Sequence, residues 1–388
     1  MTRYIGLDLH KMYVHGCEWT PAAPDRQKAK HFRFPNTQEG WTWLVNQVDR
    51  TCRVALEVTG SAFEIYDRLS PHVEQVLPAN AREMKRLGSK RHTDRVDAAR
   101  LAKALALDLL PVVWVPPLPM REVRRLLHYR DRLTRGRRRS TNQAKRIFLR
   151  HGILLSAHAD AHHAASTHDL SSLPSGDRVI LGSALRQAAA VEAEILVIES
   201  EIAARVQRIP EVRQLLTITN VGIVAATAIW AALGDPHRFA HTKQVARYAG
   251  LDPSCRQSGE ELRRGRISKN GNTLLRSLLV EVALGVGRHD QGALGQFYRR
   301  KKAQIGHSKA VVALARKILI VAWRMLLTGE DYRTSNARQV TRKHRLLDQL
   351  AERTTASPVV ALNRTIAEMH SVYARVHHRR IVRTAVPA

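Results

Sequence analysis

The chain has few cysteines and few acidic residues for its 388 positions. Its three cysteines, Cys17, Cys52 and Cys255, have neither the close spacing of metal ligands nor the number that a disulfide framework requires. Their scarcity indicates a reducing compartment. The N-terminal residues lack the long apolar core of a signal peptide. These absences argue against a secreted, disulfide-rich protein and predict a cytoplasmic one.

Long apolar runs are also scarce. The main exception, residues 215–233, is uncharged over 19 residues and approaches the length of a membrane span. That stretch is interrupted by polar and small residues, namely Thr217, Thr219, Asn220, Gly222 and Thr227. We therefore interpret it as buried helices of a small domain and predict no membrane association.

Acidic residues are outnumbered almost two to one, with 63 Lys and Arg against 34 Asp and Glu and a net charge of +29. The first 110 residues are nearly balanced, with 17 basic against 13 acidic side chains, so the remaining chain carries +25. Basic surfaces of this size are typical of proteins that neutralise phosphates, and nucleic acid is the expected partner. The alternative is a generally basic protein without such a partner.

The first part of the chain alternates strand and helix patterns. Strands are predicted at 3–16, 29–34, 54–58 and 73–77, and helices at 36–48, 63–69 and 97–107. This alternation predicts an α/β layer fold for residues 1–117.

The rest of the chain has helical character after a proline-rich segment at 111–119. Residues 119–150 hold eleven Arg and one Lys against two acids and predict a long basic helix. Residues 151–175 are predicted to be irregular, and 177–209 to form a second helix. The two helices suggest an antiparallel coiled-coil arm within 118–209. Residues 210–330 are predicted to form a small helical domain, and 331–388 a basic tail that is an appendage or partly disordered.

Four carboxylates in the first hundred residues are candidate metal ligands. Asp8 and Glu57 lie in short apolar runs that predict buried strands, where unpaired charges are costly. Asp94 and Asp97 are three residues apart at a predicted helix start and therefore point the same way. If the two strands are neighbours, the four acids converge, and such a cluster suits Mg²⁺, with Mn²⁺ as an alternative.

Other interpretations of these acids remain open. Asp94 and Asp97 have basic neighbours, including Arg95 and Arg100, and could form a salt-bridged helix start. The opening Gly-Leu-Asp also occurs in sugar kinases and actin-like ATPases, but the glycine-rich phosphate loops of those proteins are missing here.

A second candidate site lies in the C-terminal half. Ser258 is flanked by basic residues and could attack a phosphodiester whose charge those cations stabilise. Ser254 and Ser268 are rival nucleophiles, and no His or Asp stands close enough in sequence to serve as an evident base. The basic residues of this segment are Arg256, Arg263, Arg264, Arg266 and Lys269.

Two weaker patterns accompany these sites. A turn at Gly222 between apolar helices resembles a helix-hairpin-helix, which presents backbone amides to phosphate, although an ordinary turn explains it equally well. Four histidines could suggest a zinc site, but their spacing is loose and a polar loop explains them better. They are His158, His162, His163 and His168.

Taken together, the two sites resemble those of a known family, the insertion-sequence transposases of the IS110 family, which are bridge-RNA-guided recombinases. The resemblance rests on IGLDLHK at 5–11, ALEVTG at 55–60, KRHTDRVDAARLA at 90–102, YAGLDP at 248–253, QSG at 257–259 and GRISKNGN at 265–272. The chain has NVGI at 220–223 where the family usually has a PGIG-like turn, which weakens the hairpin interpretation. Residues after 330 lie outside the resemblance.

The resemblance implies a fold and a chemistry. The fold would be α/β plus all-α: a ribonuclease H-like (RuvC-like) domain at 1–117, a coiled-coil arm, and a small helical transposase domain. Asp8, Glu57, Asp94 and Asp97 match the four family acids that hold Mg²⁺. Ser258 matches the serine that forms a covalent phosphoserine–DNA intermediate.

The resemblance also implies partners. They are donor and target DNA, a bridge RNA, and further copies of the chain in a homodimer or tetramer, in a nucleoid-associated, bacterial setting. We expect Arg137, Arg138 and Arg139 of the basic helix to face solvent and contact RNA. Two other classes remain: a metal-dependent nuclease of the junction-resolvase type without a covalent intermediate, and a non-catalytic architectural binder.

Overall fold

A computed structural model describes residues 2–21, 29–86, 93–156, 160–258 and 261–354, with the backbone alone at 255–258 and 261–264. The chain divides into two compact units, Met1–Pro117 and Leu118–Ala388. Each unit is described by itself. The whole is a mixed α/β structure, with a central five-stranded sheet in the first unit and mainly helices in the second.

The first unit is built on a sheet with strand order β3-β2-β1-β4-β5. β1, β2 and β3 form an antiparallel meander, whereas β4 and β5 run parallel to β1. The strands are β1 (Arg3–Leu9), β2 (Tyr13–Trp19), β3 (Ala29–Pro35), β4 (Cys52–Glu57) and β5 (Gln75–Ala79), and the helices are α1 (Gln38–Gln47), α2 (Ala62–Leu69), α3 (Ala81–Met84) and α4 (Asp94–Ala106).

The two faces of the sheet bury different cores because strand side chains alternate. One face carries Ile5 and Leu7 of β1 and Leu56 of β4, which pack with Trp41 of α1 and Leu69 of α2. The opposite face carries small residues. There, Ala55 and Ala79 pack with Leu101 and Leu105 of α4. The small side chains let α4 lie close to the strands.

Gly6 of β1 is the point of closest approach to α4. A Cβ atom on Gly6 would lie 2.1 Å from the backbone oxygen of Ala98 and 2.6 Å from the backbone nitrogen of Ala102. Only glycine fits against a backbone at this distance. This contact therefore sets the distance between α4 and β1.

One strand prediction was wrong. Residues 3–16 form two strands rather than one, because the chain reverses at residues 10–12. The turn is closed by a hydrogen bond from the backbone nitrogen of His10 to the oxygen of Tyr13, 3.0 Å long. The alternation of apolar and polar residues breaks at the consecutive polar residues His10 and Lys11, and the strand prediction extended through that break.

The second unit is mainly helical, with one two-stranded hairpin. Its elements are α5 (Leu118–Arg150), α6 (Ala161–Thr167), α7 (Ser175–Val206), α8 (Pro210–Leu215), α9 (Ile223–Leu233), α10 (Thr242–Tyr248), β6 (Pro253–Ser258), β7 (Glu261–Ile267), α11 (Thr273–His289), α12 (Ala293–Ile305), α13 (His307–Thr328) and α14 (Ala337–Glu352). α6 lies in the segment that was predicted to be irregular. α9 is almost wholly buried, and none of the described helices is long and apolar enough to cross a membrane.

The long helices α5 and α7 pack side by side in opposite directions. Three ion pairs join them in antiparallel order: Arg130 with Glu199, Arg137 with Glu192, and Arg150 with Asp177. The Arg137 side chain is 41% exposed, as expected, but its guanidinium also pairs with Glu192 of the neighbouring helix. Arg138 and Arg139 are exposed, as expected.

The segment predicted to be a tail begins with an ordered helix. α14 packs against α7, and its Lys343 Nζ donates to the backbone oxygens of Leu216 and Ile218, at 2.8 and 2.7 Å. Burial lowers the pKa of Lys343 to about 8. Residues 337–352 are thus part of the second unit, because a partly buried ammonium group anchors them to the turn after α8.

We predict that Gly6→Ala destabilises the protein by about 1–3 kcal/mol, because the new methyl group overlaps the α4 backbone. The measurement is urea unfolding of the full chain. Gly60→Ala is the matched control, since a Cβ at Gly60 has nothing within 4 Å. Equal stability of the two variants would show that α4 does not depend on this contact.

Candidate active site

Adjacent parallel strands bring Asp8 and Glu57 together. The pairing of β1 with β4 runs through Gly6 with Ala55 and Leu7 with Leu56. Asp8 and Glu57 follow at the next positions, so both carboxylates project from the face that α4 covers. The condition set in the sequence analysis, that these two strands are neighbours, is therefore met.

The N-terminus of α4 supplies the other two acids. Thr93 caps the helix, with its side-chain oxygen accepting from the backbone nitrogen of Val96 at 3.3 Å. Asp94 and Asp97 occupy the first turn. Asp97 accepts a hydrogen bond from Arg100 at 2.9 Å, as the salt-bridge alternative anticipated, but its neighbours also include the strand acids.

Two residues that the sequence analysis did not select complete this group. His10 Nε2 lies 3.0 Å from Asp8 Oδ2 and 3.3 Å from Asp94 Oδ1. The Tyr13 hydroxyl donates to Asp94 Oδ2 at 2.7 Å. Strand alternation had placed His10 on the face of Asp8, which was a usable signal. The contact of Tyr13 with Asp94 depends on the turn and could not be inferred from spacing.

The acids alter each other's ionisation. Burial raises the pKa of Glu57 above its ordinary value, and the charges of Asp8 and Asp97 act in the same direction. Burial likewise raises the pKa of Asp8, with Asp94 and Asp97 adding to the effect and His10 opposing it. The hydrogen bond from Tyr13 lowers the pKa of Asp94. Asp8 thus interacts electrostatically with each of the other three acids of this cluster, although Glu57 and Asp97 belong to no group of three ligands that lie within 4.8 Å of one another among the described residues.

The cluster has the donor set of a cation site. In the described part of the chain, Asp8, His10 and Asp94 are the one group of three whose ligand atoms all lie within 4.8 Å of one another. Acidic oxygens dominate, which suits hard divalent cations. Of the four loosely spaced histidines considered as a zinc site, His158 lies outside the described residues. The described ones, His162, His163 and His168, form no such group.

The cluster continues across the sheet with basic residues. His15 of β2 pairs directly with Asp8 of β1 on one side and Arg33 of β3 on the other. The Arg33 guanidinium lies 3.6 Å from the centre of the Tyr13 ring. His15 contacts His31 at 3.2 Å. Arg33 thus places a fixed positive charge on the β2–β3 side, whereas burial lowers the pKa of His15 and of His31 and favours their neutral forms.

The candidate serine lies on a hairpin rather than in a loop. Ser258 is the last residue of β6 and pairs with Glu261 of β7. The side chains of Ser258, Arg256, Arg263 and Arg264, and all of Gly259, lie outside the described residues. Arg266 and Lys269 follow at the base of the hairpin and are exposed.

The two rival serines have structural partners at the same hairpin. The Ser254 hydroxyl donates to the backbone oxygen of Arg266 at 2.9 Å. The Ser268 hydroxyl donates to Asp252 at 2.5 Å. Both hydroxyl protons are therefore used in hydrogen bonds at the base of the hairpin.

Known proteins match both parts of the chain. A DEDD transposase model named for IS110 and described as "Transposase" matches residues 5–152, and a model described as "Transposase IS116/IS110/IS902 family" matches residues 212–299. The transposase for insertion sequence element IS1111A of Coxiella burnetii is 28% identical over 247 residues, 62% of this chain and 68% of that protein.

A probable family 20 transposase of Pseudomonas aeruginosa is 27% identical over 343 residues, 85% of this chain and 98% of that protein. The putative transposase y4pF/y4sB of Sinorhizobium fredii is 25% identical over 305 residues, 74% of this chain and 76% of that protein. These matches, with the acidic cluster, define a DNA transposase/recombinase. The chain belongs to the IS110 family of DEDD transposases, as its sequence motifs predicted.

Membership of this family indicates DNA substrates and divalent-metal use. The Asp8, His10 and Asp94 group could hold such an ion.

The raised pKa of Glu57 generates a stability prediction. The folded protein holds this proton more tightly than the unfolded chain, so the contribution of Glu57 to stability declines as pH rises through its folded pKa. In chelator, Glu57→Gln should therefore be more stable than wild type at neutral pH. This difference should shrink as pH falls towards the ordinary carboxyl range.

The measurement is urea unfolding in chelator across pH. Glu74→Gln is the control, since Glu74 is exposed and remote from the cluster in the chain. A destabilised Glu57→Gln variant at neutral pH would contradict the clustering of the acids.

Proposed function

We propose that the protein cuts and rejoins DNA by a serine-linked route, with Mg²⁺ held by Asp8, Glu57, Asp94 and Asp97, and with Mn²⁺ able to replace it. The observation that carries this proposal is the convergence of carboxylates from β1, β4 and the start of α4 on one face of the sheet. Mixed sheets with acids in these positions support a ribonuclease H-like, RuvC-like assignment for the first unit.

The residues present fit a divalent cation. Side chains at the cluster are partly enclosed, with 20% exposure at Asp8 and 24% at Asp97. Burial, with added repulsion among the acids, raises the pKa of Asp8 and of Glu57. Such a concentration of partly buried negative charge is stabilised when a cation neutralises it. A bound Mg²⁺ would stabilise negative charge on the attacking and leaving oxygens at a phosphate.

Ser258 would supply the nucleophile. Its Oγ loses a proton and bonds to the phosphorus of the DNA backbone, while the bond from phosphorus to the leaving sugar oxygen breaks and that oxygen takes a proton. A DNA hydroxyl then attacks the same phosphorus, restores a phosphodiester and releases the serine. Arg266 and Lys269 stand near the hairpin and would stabilise charge on the phosphate.

The assembly proposed for this chemistry is a homodimer or tetramer. In the family that the sequence resembles, acids of one subunit face the serine of another. Antiparallel α5 and α7, proposed as a coiled-coil arm, are the candidate contact between subunits. The alternative function is a metal-dependent nuclease of the junction-resolvase type, in which water replaces Ser258 and no adduct forms.

A covalent adduct assay tests the proposal. Wild-type protein with Mg²⁺ and a nicked suicide substrate should yield a protein–DNA species that survives a denaturing gel. We expect Ser258→Ala to bind DNA normally but give no adduct, because a methyl group cannot attack phosphorus. Asp8→Asn should bind DNA and also give no adduct, and chelator should abolish the adduct of wild type.

Ser254→Ala is the matched control, because its hydroxyl lies on the same hairpin but is used in a structural hydrogen bond. If Ser254→Ala loses the adduct and Ser258→Ala retains it, the nucleophile is Ser254 rather than Ser258. DNA cleavage by wild type without any adduct would favour the hydrolytic alternative.

We also propose that a bridge RNA guides the reaction. Support comes from the family resemblance and from the +25 charge outside the first 110 residues. The long basic helix α5 is the candidate contact. Because Arg137 bonds to Glu192 of α7, it serves the helix pair, and exposed Arg138 and Arg139 are the better probes of RNA binding.

We predict that Arg138→Ala combined with Arg139→Ala weakens binding of RNA transcribed from the flanks of the gene. Loss of phosphate contacts should also flatten the salt dependence of binding, by roughly 0.7–0.9 log units per contact for each tenfold change in salt. Filter binding across salt concentrations measures both. Arg338→Ala combined with Arg342→Ala, exposed positions on α14, removes the same charge as a control.

Equal weakening by both pairs would indicate general electrostatics rather than an α5 contact. Site-selective recombination by protein from which all RNA has been removed would contradict the proposal that an RNA guides the reaction.

A further inference from the structure

We infer that His10 is a nitrogen ligand of the cation held by Asp8 and Asp94, and that this ligand makes one side of the acidic centre favour Mn²⁺ over Mg²⁺. The inference deepens the proposed function, because it rests on the proposed metal centre. It adds a residue outside the four-acid set and a preference that four carboxylates alone would not create.

The geometry places one ring nitrogen against two carboxylates at once. His10 Nε2 lies 3.0 Å from Asp8 Oδ2 and 3.3 Å from Asp94 Oδ1. All three ligand atoms fall within 4.8 Å of one another, which is close enough to share one ion. Asp8 comes from β1 and Asp94 from α4, so His10 lies where the strand and the helix meet.

The imidazole of His10 is held by contacts other than the acids. Its ring stacks on Tyr13, with centres 4.8 Å apart. The backbone nitrogen of His10 donates to Tyr13, and its backbone oxygen accepts from Asn36 Nδ2 at 2.8 Å. The Tyr13 ring is in turn covered by Arg33. These contacts hold the ring in position before any ion binds, which reduces the entropic cost of ligation.

The opposite side of the cluster differs chemically. Glu57 and Asp97 offer oxygen atoms alone, and Asp97 is paired with Arg100. Mg²⁺ prefers oxygen ligands and water, whereas imidazole nitrogen is a common ligand of transition metals. A nitrogen on the Asp8–Asp94 side should therefore strengthen Mn²⁺ binding there while giving Mg²⁺ little benefit.

A competing explanation makes the opposite prediction. If His10 were only a positive counter-ion for the acids, then its removal would leave more uncompensated negative charge. Both cations would then bind more tightly without it. The two roles are thus separated by the sign of the change in Mn²⁺ affinity.

The experiment compares full-length wild type, His10→Gln and His31→Gln without DNA. Free Mn²⁺ is counted by electron paramagnetic resonance during titration, and Mg²⁺ affinity is obtained by competition. Pulsed measurements on bound Mn²⁺ report coupling to a ligated ¹⁴N nucleus. His31→Gln is the matched control, because it removes an imidazole from β3 that bonds to His15 rather than to the acids.

We expect His10→Gln to weaken Mn²⁺ binding by at least about tenfold, with a change in Mg²⁺ affinity below about threefold. Its ¹⁴N coupling should vanish, while His31→Gln keeps both properties of wild type. Unchanged or tighter Mn²⁺ binding in His10→Gln, or ¹⁴N coupling that persists in it, would overturn the inference.

Asp8→Asn separates this inference from the proposed centre. If Asp8→Asn loses Mn²⁺ binding while His10→Gln does not, then the result supports the acidic metal centre and contradicts the ligand role of His10. If wild type itself binds no Mn²⁺ or Mg²⁺, both the centre and the inference fall. Circular dichroism of each variant confirms that the fold is retained.

Discussion

The direct contact between α4 and Gly6 of β1 is the constraint on which the rest of the site depends. A side chain at Gly6 would overlap the backbone of α4, so the glycine sets how near the helix can lie to the sheet. That approach brings the first turn of α4, with Asp94 and Asp97, to the strand positions of Asp8 and Glu57. The packing of α4 on the sheet thus brings these four acids together despite their mutual repulsion.

The closeness of the acids opposes folding when no cation is bound. Burial and repulsion raise the pKa of Asp8 and of Glu57, and His10 and Tyr13 offset part of this effect through contacts with Asp8 and Asp94. The acids destabilise the first unit when no cation is present, and a bound cation would neutralise them. Cation binding would therefore raise the stability of the first unit. The charges that would bind the cation are therefore the same charges that lower the stability of the first unit when no cation is bound.

The sequence allowed much of this architecture to be predicted, for identifiable physical reasons. Period-two alternation and apolar runs identified β4 and the face of Asp8. The pair Asp94 and Asp97 indicated the start of α4, although the helix itself was predicted only from residue 97 and begins at Asp94. The turn at residues 10–12 was missed although two consecutive polar residues, His10 and Lys11, interrupt the alternation there. The contact of Tyr13 with Asp94 and the ion pair of Arg137 with Glu192 join positions 81 and 55 residues apart, and no local pattern specifies such contacts.

The central claim is that acids from β1, β4 and α4 form one divalent-cation centre. Anomalous diffraction from crystals grown with Mn²⁺ tests it most directly, because Mn²⁺ scatters anomalously where Mg²⁺ does not. The account predicts an anomalous peak bonded to the carboxylate of Asp8 and to at least one acid of α4, with Glu57 in the same cluster. Occupied Mn²⁺ sites elsewhere, with no peak at these carboxylates, would contradict it.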